Sequence, residues 1–285
     1  MELELRSLRT QVLEWSAQDR AKGTVLLLHG FADCAGSFDL VSPALAAAGY
    51  RVVAPDLRGF GGTGWAPRGS YYHFPDYVAD VDELARVLDL RDLLVVGHSM
   101  GGSVATLFAG SRPSLVRGVA LLEGLGPPET DLAFTPQRLG KWLDDLTARR
   151  SYEQSPIEDP SGVLSRLVSQ HPGVPREVLA SRVPHLAHER ADGRWEWRFD
   201  PLHRSTSPTP FLAAMYRAFL ARIQAPTLVV GGGVDGYHPP DEADRIGALS
   251  LVTHVELAGA GHMMHWTQPG ALSSALLEFF SGIGR

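Results

Sequence analysis

The chain has 285 residues, of which 44% are hydrophobic and 20% are charged, and its formal net charge is −6 at neutral pH. This balance is typical of a folded globular protein and excludes an intrinsically disordered chain. The mild acidity, without a dense run of Lys and Arg, also argues against a nucleic-acid partner.

The sequence contains no segment typical of export or of a membrane span. Its longest apolar runs, such as residues 25–28, are far shorter than the roughly 20 residues that cross a bilayer. The acidic, alternating start at residues 1–6 is unlike a secretory signal. Cys34 is the single cysteine, so an internal disulfide is excluded, which fits a reducing compartment. We therefore expect a cytoplasmic protein.

The predicted elements begin with two alternating stretches, residues 2–8 and 11–17, which are typical of an antiparallel hairpin at a sheet edge. Continuous apolar runs then alternate with helical stretches, as in strands that are buried on both faces and joined by parallel crossovers. The predicted strands are 24–29, 51–55, 93–97, 116–122, 225–231 and 251–257; the helices between them are 37–48, 74–90, 100–111, 240–249 and 269–280. The predicted fold class is α/β, with a doubly wound, mostly parallel sheet.

One stretch interrupts this alternation. About a hundred residues separate the strand ending near Glu123 from the next strand, although a crossover needs only about a dozen. We predict a helical cap at residues 124–223, inserted into a core of residues 1–123 and 224–285, over the sheet edge where open α/β folds bind ligands. Its predicted helices are 137–149, 161–171, 175–188 and 211–222, and the aromatic residues at 195–200 are expected to hold it on the core.

The strongest motif is Gly97-His98-Ser99-Met100-Gly101, directly after a predicted strand and directly before a predicted helix. It satisfies G-x-S-x-G in the strand–turn–helix context that this motif requires. The glycines are needed because side chains at 97 and 101 would collide with neighbouring backbone. Ser99 is therefore the predicted nucleophile.

A serine hydroxyl needs a base to remove its proton. His262, in the glycine-rich loop 259–262 after the last predicted strand, returns to the same sheet edge and is the predicted base. His265 competes with it but is expected to pack within the fold. Histidines three apart occur here and at His185 and His188, but without a third ligand at a useful spacing we predict no metal.

Two carboxylates could orient the imidazole. Asp235 follows the penultimate strand and gives the order Ser…Asp…His expected of this architecture; it is the preferred candidate. Glu123 ends an earlier strand and can reach the same histidine from the other side, so it stays open. The oxyanion of the tetrahedral intermediate requires preorganised donors, which we assign to the backbone N–H groups of Phe31 and Met100.

These motifs resemble the α/β-hydrolase superfamily, in particular its serine-hydrolase-like and haloalkane-dehalogenase-like branches. The resemblance depends on residues 29–33, residues 56–61, the Ser99 turn, the Asp235 loop and residues 261–262. Dehalogenases and epoxide hydrolases of the superfamily carry an Asp nucleophile, so Ser99 argues against their chemistry. The dehalogenase-like branch sometimes carries its acid after the earlier strand, which keeps Glu123 open. Members generally act without a cofactor, and the resemblance implies none here.

The function expected from these residues is a carboxylesterase that acts on a small-molecule ester through an acyl-enzyme intermediate. Two alternatives remain. The same triad could hydrolyse a carbon–carbon bond or a lactone, because the residues specify the nucleophile better than the leaving group. The chain could also be a ligand-binding receptor with low turnover, because fold and triad do not guarantee activity.

Overall fold

The computed structural model describes residues 1–17, 21–67, 69–149 and 154–284. The strands are β1 (Glu2–Leu5), β2 (Leu8–Trp15), β3 (Thr24–Leu28), β4 (Arg51–Pro55), β5 (Leu93–His98), β6 (Val116–Leu122), β7 (Ala187–Glu189), β8 (Trp195–Trp197), β9 (Thr227–Gly231) and β10 (Val252–Glu256). The α-helices are α1 (Ser42–Ala47), α2 (Phe74–Val87), α3 (Met100–Ser111), α4 (Thr135–Arg149), α5 (Pro160–Gln170), α6 (Arg176–Leu186), α7 (Ala213–Leu220), α8 (Glu242–Gly247), α9 (Met264–Thr267) and α10 (Pro269–Gly282).

Eight strands form one sheet in the order β1-β2-β4-β3-β5-β6-β9-β10. The β1–β2 hairpin pairs antiparallel to β4, and the other neighbours are parallel. This confirms the predicted α/β class with a mostly parallel sheet. No helix in the described ranges is long and apolar enough to cross a membrane.

The central strands are apolar because helices cover both of their faces. Successive side chains of β3 alternate between two buried clusters: Leu26 and Leu28 lie in one, and Val25 and Leu27 lie in the other. All four are fully buried. The period of two residues along a strand sends neighbouring side chains to opposite faces, so a strand between two helical layers must be apolar throughout.

The prediction for the last strand was partly wrong. The run at 251–257 was expected to be buried on both faces, but β10 lies at the edge of the sheet and most of its residues are exposed. It carries polar side chains that water can solvate, and Nε2 of His254 lies 2.9 Å from Oε1 of Glu256. An edge strand has a neighbouring strand on one side only. The exposure of its side chains therefore depends on its position in the sheet, which the number of apolar residues in the strand does not reveal.

The strand order creates a crevice at one edge of the sheet. From β3 the chain crosses to β4 on one side, and β5 then lies on the other side of β3. Loops that leave two neighbouring parallel strands in opposite directions open a cleft at the carboxyl ends of those strands. The loop after β3 and the turn after β5 therefore meet in this cleft.

Between β6 and β9 the chain forms the helices α4 to α7 and a two-stranded ribbon, β7–β8. This inserted segment packs on the rest of the molecule through α7, whose Tyr216 hydroxyl lies 2.9 Å from the Thr106 hydroxyl of α3. Phe199, just after β8, forms an isolated bridge with Phe60. Buried residues of α6 belong to the same apolar cluster as residues of β3 and β5, so the inserted segment and the sheet share one continuous core.

Candidate active site

Ser99 lies in a strained turn between β5 and α3. Its backbone angles are φ 51° and ψ −116°, a region that side-chain-bearing residues rarely adopt. A Cβ atom at Gly97 would collide with the backbone of Gly101, and one at Gly101 would collide with the carbonyl of Leu28. The glycines thus permit the close packing that the sequence motif predicts around the turn.

The loop after β3 lies against this turn. A Cβ atom at Gly30 would stand 3.3 Å from the Cβ atom of Ser99, so the Phe31 amide that follows is close to the serine. Met100 is the first residue of α3, where backbone N–H groups lack intrahelical partners and the helix end favours negative charge. Within the described ranges, neither amide has a hydrogen-bond acceptor. Two unpaired donors beside the serine are suited to an oxyanion.

His262 is paired with Glu123. The Nδ1 atom of His262 lies 3.4 Å from Oε2 of Glu123, and their side chains are 36% and 1% exposed. The carboxylate also accepts hydrogen bonds from the backbone amides of Gly232 and Tyr237. Hydrogen bonds to an ionised acceptor are stronger than neutral ones, so these amides fix the carboxylate beside the imidazole.

Asp235, the preferred candidate from the sequence, is not at this position. It lies in the exposed turn Gly233–Asp235 after β9, next to Val234, which is 97% exposed. Within the described ranges its carboxylate takes part in no hydrogen bond or ion pair. The loop that carries Asp235 supplies amides to Glu123 instead of supplying the acid. The structure thus places the alternative acid, Glu123, beside the imidazole, and the identity of the catalytic acid stays a prediction.

The ambiguity arose because β6 and β9 are neighbouring parallel strands. Residues that follow either strand reach the same edge of the sheet, and sequence order does not distinguish them. One signal could have decided: Glu123 follows the apolar strand directly, whereas Asp235 is separated from β9 by three loop residues in a glycine-rich turn. A side chain at the strand end is held by the sheet, and one at a turn tip faces solvent.

Sequence reasoning also missed a buried polar cluster behind the serine, formed by Asp33, His98 and His265. Each offers one ligand atom within 4.8 Å of the others, a donor set that could hold a metal. The Asp33 carboxylate is already occupied, because Oδ1 accepts from the Cys34 amide and the Ser37 hydroxyl, and Oδ2 lies 3.3 Å from Nε2 of His265. We interpret the cluster as a structural one, in which His265 pairs with Asp33 and the His98 ring packs against His265.

The second pair of histidines lies elsewhere. Nε2 of His185 is 3.1 Å from Asp39, and Nε2 of His188 is 3.3 Å from Glu196. Each histidine therefore has its own carboxylate partner. Within the described ranges, the group of residues that could jointly hold a metal includes neither of them.

Comparison with known proteins shows the family of the chain. The model of the alpha/beta hydrolase family matches residues 25–275. A 3-hydroxybutyrate-oligomer hydrolase from Cupriavidus necator is 30% identical over 279 residues, which cover 94% of this chain and 92% of that protein. A serine hydrolase-like protein from Danio rerio is 42% identical, but over 118 residues that cover 41% of this chain and 36% of that protein.

Among solved structures, the thioesterase domain from the curacin biosynthetic pathway is similar, with a TM-score of 0.83 and 27% identity. The superposition covers 97% of this chain and 98% of that domain. The family match extends over most of the chain and includes Ser99, Glu123 and His262. The chain therefore belongs to the alpha/beta hydrolase family.

Proposed function

We propose that the chain is a serine esterase in which Ser99 is the nucleophile, His262 the general base and Glu123 the acid that orients the base. The observation that carries the proposal is the pairing of His262 Nδ1 with the buried Glu123 carboxylate, at the sheet edge where the strained Ser99 turn also lies. A carboxylate on Nδ1 holds the proton there, so that Nε2 presents a lone pair to the serine.

In the proposed reaction, His262 Nε2 takes the proton of the Ser99 hydroxyl as Oγ attacks the ester carbonyl. The Phe31 and Met100 amides stabilise the oxyanion, and the intermediate collapses as the imidazolium gives its proton to the leaving alcohol. Water then attacks the acyl-enzyme with the same histidine as base, which releases the acid and regenerates Ser99. The buried Glu123 carboxylate stabilises the imidazolium in both halves of the reaction.

The relatives support a proposal of ester specificity. The name of the Cupriavidus necator relative gives an oligomer of 3-hydroxybutyrate as its substrate, and the similar curacin-pathway domain is a thioesterase. Both reactions transfer an acyl group from an oxygen or sulfur leaving group. We therefore propose acyl transfer from a small-molecule ester to water as the activity of this chain.

We also propose that the inserted segment, residues 124–223, is a cap that helps to shape the substrate site. Three contacts support this proposal, all with the loops at the cleft. Cys34 Sγ donates to the His185 carbonyl at 3.4 Å, Arg182 pairs with Asp39 at 2.6 Å, and His203 stacks on Phe60 with a centroid separation of 4.0 Å. The proposed cap thus rests on the segment that follows Phe31 and on the loop after β4.

The test is hydrolysis of p-nitrophenyl esters, from acetyl to palmitoyl, by the wild type and by Ser99→Ala. We expect activity in the wild type and a loss of at least about 10³-fold in kcat in the variant, since removing a triad nucleophile leaves little beyond binding and oxyanion stabilisation. Wild-type rates matched by a folded Ser99→Ala variant would contradict the assignment. A wild type that reacts with a fluorophosphonate but hydrolyses no ester of the series would instead favour a carbon–carbon or lactone substrate.

A further inference from the structure

His98, the residue before the nucleophile, is completely enclosed although the proposed reaction does not use it. The residue is 1% exposed. Nε2 lies 2.8 Å from the backbone carbonyl oxygen of His262. Because a carbonyl can only accept, Nε2 must carry the proton and donate it. One imidazole thus joins the turn of the nucleophile to the loop of the base.

The opposite edge of the ring faces the loop after β3, which carries the Phe31 amide. A Cβ atom at Gly30 would stand 2.8 Å from Nδ1 of His98, so the loop backbone passes directly beside this nitrogen. Nδ1 is buried and, within the described ranges, has no hydrogen-bond partner. In a neutral imidazole with its proton on Nε2, Nδ1 carries a lone pair. Burial, followed by the proximity of His265 and His262, lowers the pKa of His98 well below its ordinary value, which keeps the ring neutral. The hydrogen bond to the His262 carbonyl fixes the tautomer.

A pair formed by His265 and Asp33 packs against the His98 ring. His265 is fully buried, and its ring centroid lies 4.4 Å from that of His98. Its Nε2 lies 3.3 Å from the Asp33 carboxylate, which also accepts from the Cys34 amide at 2.8 Å. Asp33 is part of the loop that begins at Phe31, and His265 is in α9, just after His262. The His265–Asp33 pair thus connects the loop after β3 to the segment that follows His262 through buried side chains.

These contacts place the His98 ring between the loop after β3 and His265, and a rotation that carries Nε2 away from the His262 carbonyl would break its hydrogen bond. Proper placement of reacting groups strongly affects rate, since a displacement of about 1 Å can cost about 100-fold. His262 is 36% exposed and is connected to Glu123 by a single long contact of 3.4 Å. The hydrogen bond from His98 to the His262 carbonyl therefore gives the position of His262 a second support.

We propose that His98 is a positioning residue: its Nε2–H group holds the His262 carbonyl and so aligns the general base with Ser99, while the His265–Asp33 pair holds the His98 ring in place. This inference rests on the proposed function, because it assigns His98 to the same serine mechanism. It predicts that the hydrogen-bond donor at position 98, and not the bulk of the side chain alone, controls turnover.

The experiment compares His98→Leu with His98→Gln. Leucine has a similar bulk but no hydrogen-bond donor. The amide nitrogen of glutamine can approach the position of Nε2 and donate to the same carbonyl. For each variant we would measure kcat and KM on the best p-nitrophenyl ester, the rate of inactivation by a fluorophosphonate, and the melting temperature. The matched control is Thr106→Val in α3, which removes a buried hydrogen bond, 2.9 Å long, to Tyr216 of α7 and leaves the contacts of His98 and His262 in place.

We expect His98→Leu to lower kcat and the phosphonate rate together, by about 10- to 100-fold, with KM within twofold of the wild type. His98→Gln should recover most of both rates, and Thr106→Val should lower the melting temperature but leave kcat unchanged. The proposal is overturned if folded His98→Leu keeps its phosphonate rate, or if both His98 variants lose activity only in proportion to their melting temperatures. The phosphonate reaction needs no ester substrate, so it tests His98 even if the wild type hydrolyses none, an outcome that would count against the esterase proposal alone.

Discussion

The ion pair between Arg182 of α6 and Asp39 predicts an unequal response to the loss of either partner. The guanidinium makes two contacts with the carboxylate, of 2.6 and 3.2 Å. The Arg182 side chain is 2% exposed, whereas that of Asp39 is 34% exposed. Removing Asp39 therefore leaves a buried charge without its partner, but removing Arg182 leaves a carboxylate that water can still solvate.

Breaking a buried pair by removing one partner costs about 3–5 kcal/mol. Because Asp39 is partly solvated, we expect Asp39→Ala to cost less, about 2–3 kcal/mol of unfolding free energy. Arg182→Met keeps most of the buried side-chain volume and removes the charge, and well-packed apolar replacements of buried ions are often close to neutral. We expect it to cost less than about 1.5 kcal/mol.

The assay is urea unfolding of the wild type and the two variants, followed by circular dichroism, with the unfolding free energy extrapolated to water. Equal slopes against urea concentration would show that the same surface unfolds in each protein. A cost for Arg182→Met equal to or larger than that for Asp39→Ala would refute the reasoning, because packing of the arginine stem would then outweigh the unpaired charge.

Two further predictions concern stability. The Tyr216 hydroxyl lies 2.9 Å from the Thr106 hydroxyl and 3.1 Å from the Gly124 carbonyl, so Tyr216→Phe should lower the unfolding free energy by about 1–3 kcal/mol; a loss below 0.3 kcal/mol in urea unfolding would contradict it. Burial lowers the pKa of His203 from 6.5 to about 3, so the unfolded chain binds this proton first and stability falls as the pH drops from 6.5 towards 3. The contribution is about 1.4 kcal/mol per pH unit within that window. Unfolding measured from pH 7 to 4.5 should show a shallower fall in stability for His203→Phe than for the wild type, and parallel curves would contradict the assignment.

The sequence predicted those features that depend on local pattern. The helix of residues 100–111 and the strands of residues 51–55 and 116–122 have the predicted bounds, because glycine and proline mark their ends. The Ser99 turn adopts the predicted strained geometry because G-x-S-x-G leaves the backbone few alternatives. The predicted helix of residues 37–48 is shorter, with α1 covering Ser42–Ala47 after a short 3-10 turn.

Features that depend on distant neighbours could not be predicted in this way. Whether Glu123 or Asp235 approaches His262 depends on how two loops fold over the ends of β6 and β9. The burial of β10 depends on its place at the sheet edge. The partnership of Asp33 with His265 joins residues 232 positions apart, and no local pattern indicates it. The division of the chain into core and cap stays a prediction.

The most direct test of the proposed triad is kcat on the best p-nitrophenyl ester for Glu123→Gln and Asp235→Asn, two matched replacements of a carboxylate by an amide. We predict a loss of about 10³- to 10⁴-fold for Glu123→Gln, comparable to the loss of a triad acid elsewhere, with Asp235→Asn within twofold of the wild type. A folded Glu123→Gln variant with wild-type kcat, together with a large loss in Asp235→Asn, would contradict the account and make Asp235 the catalytic acid.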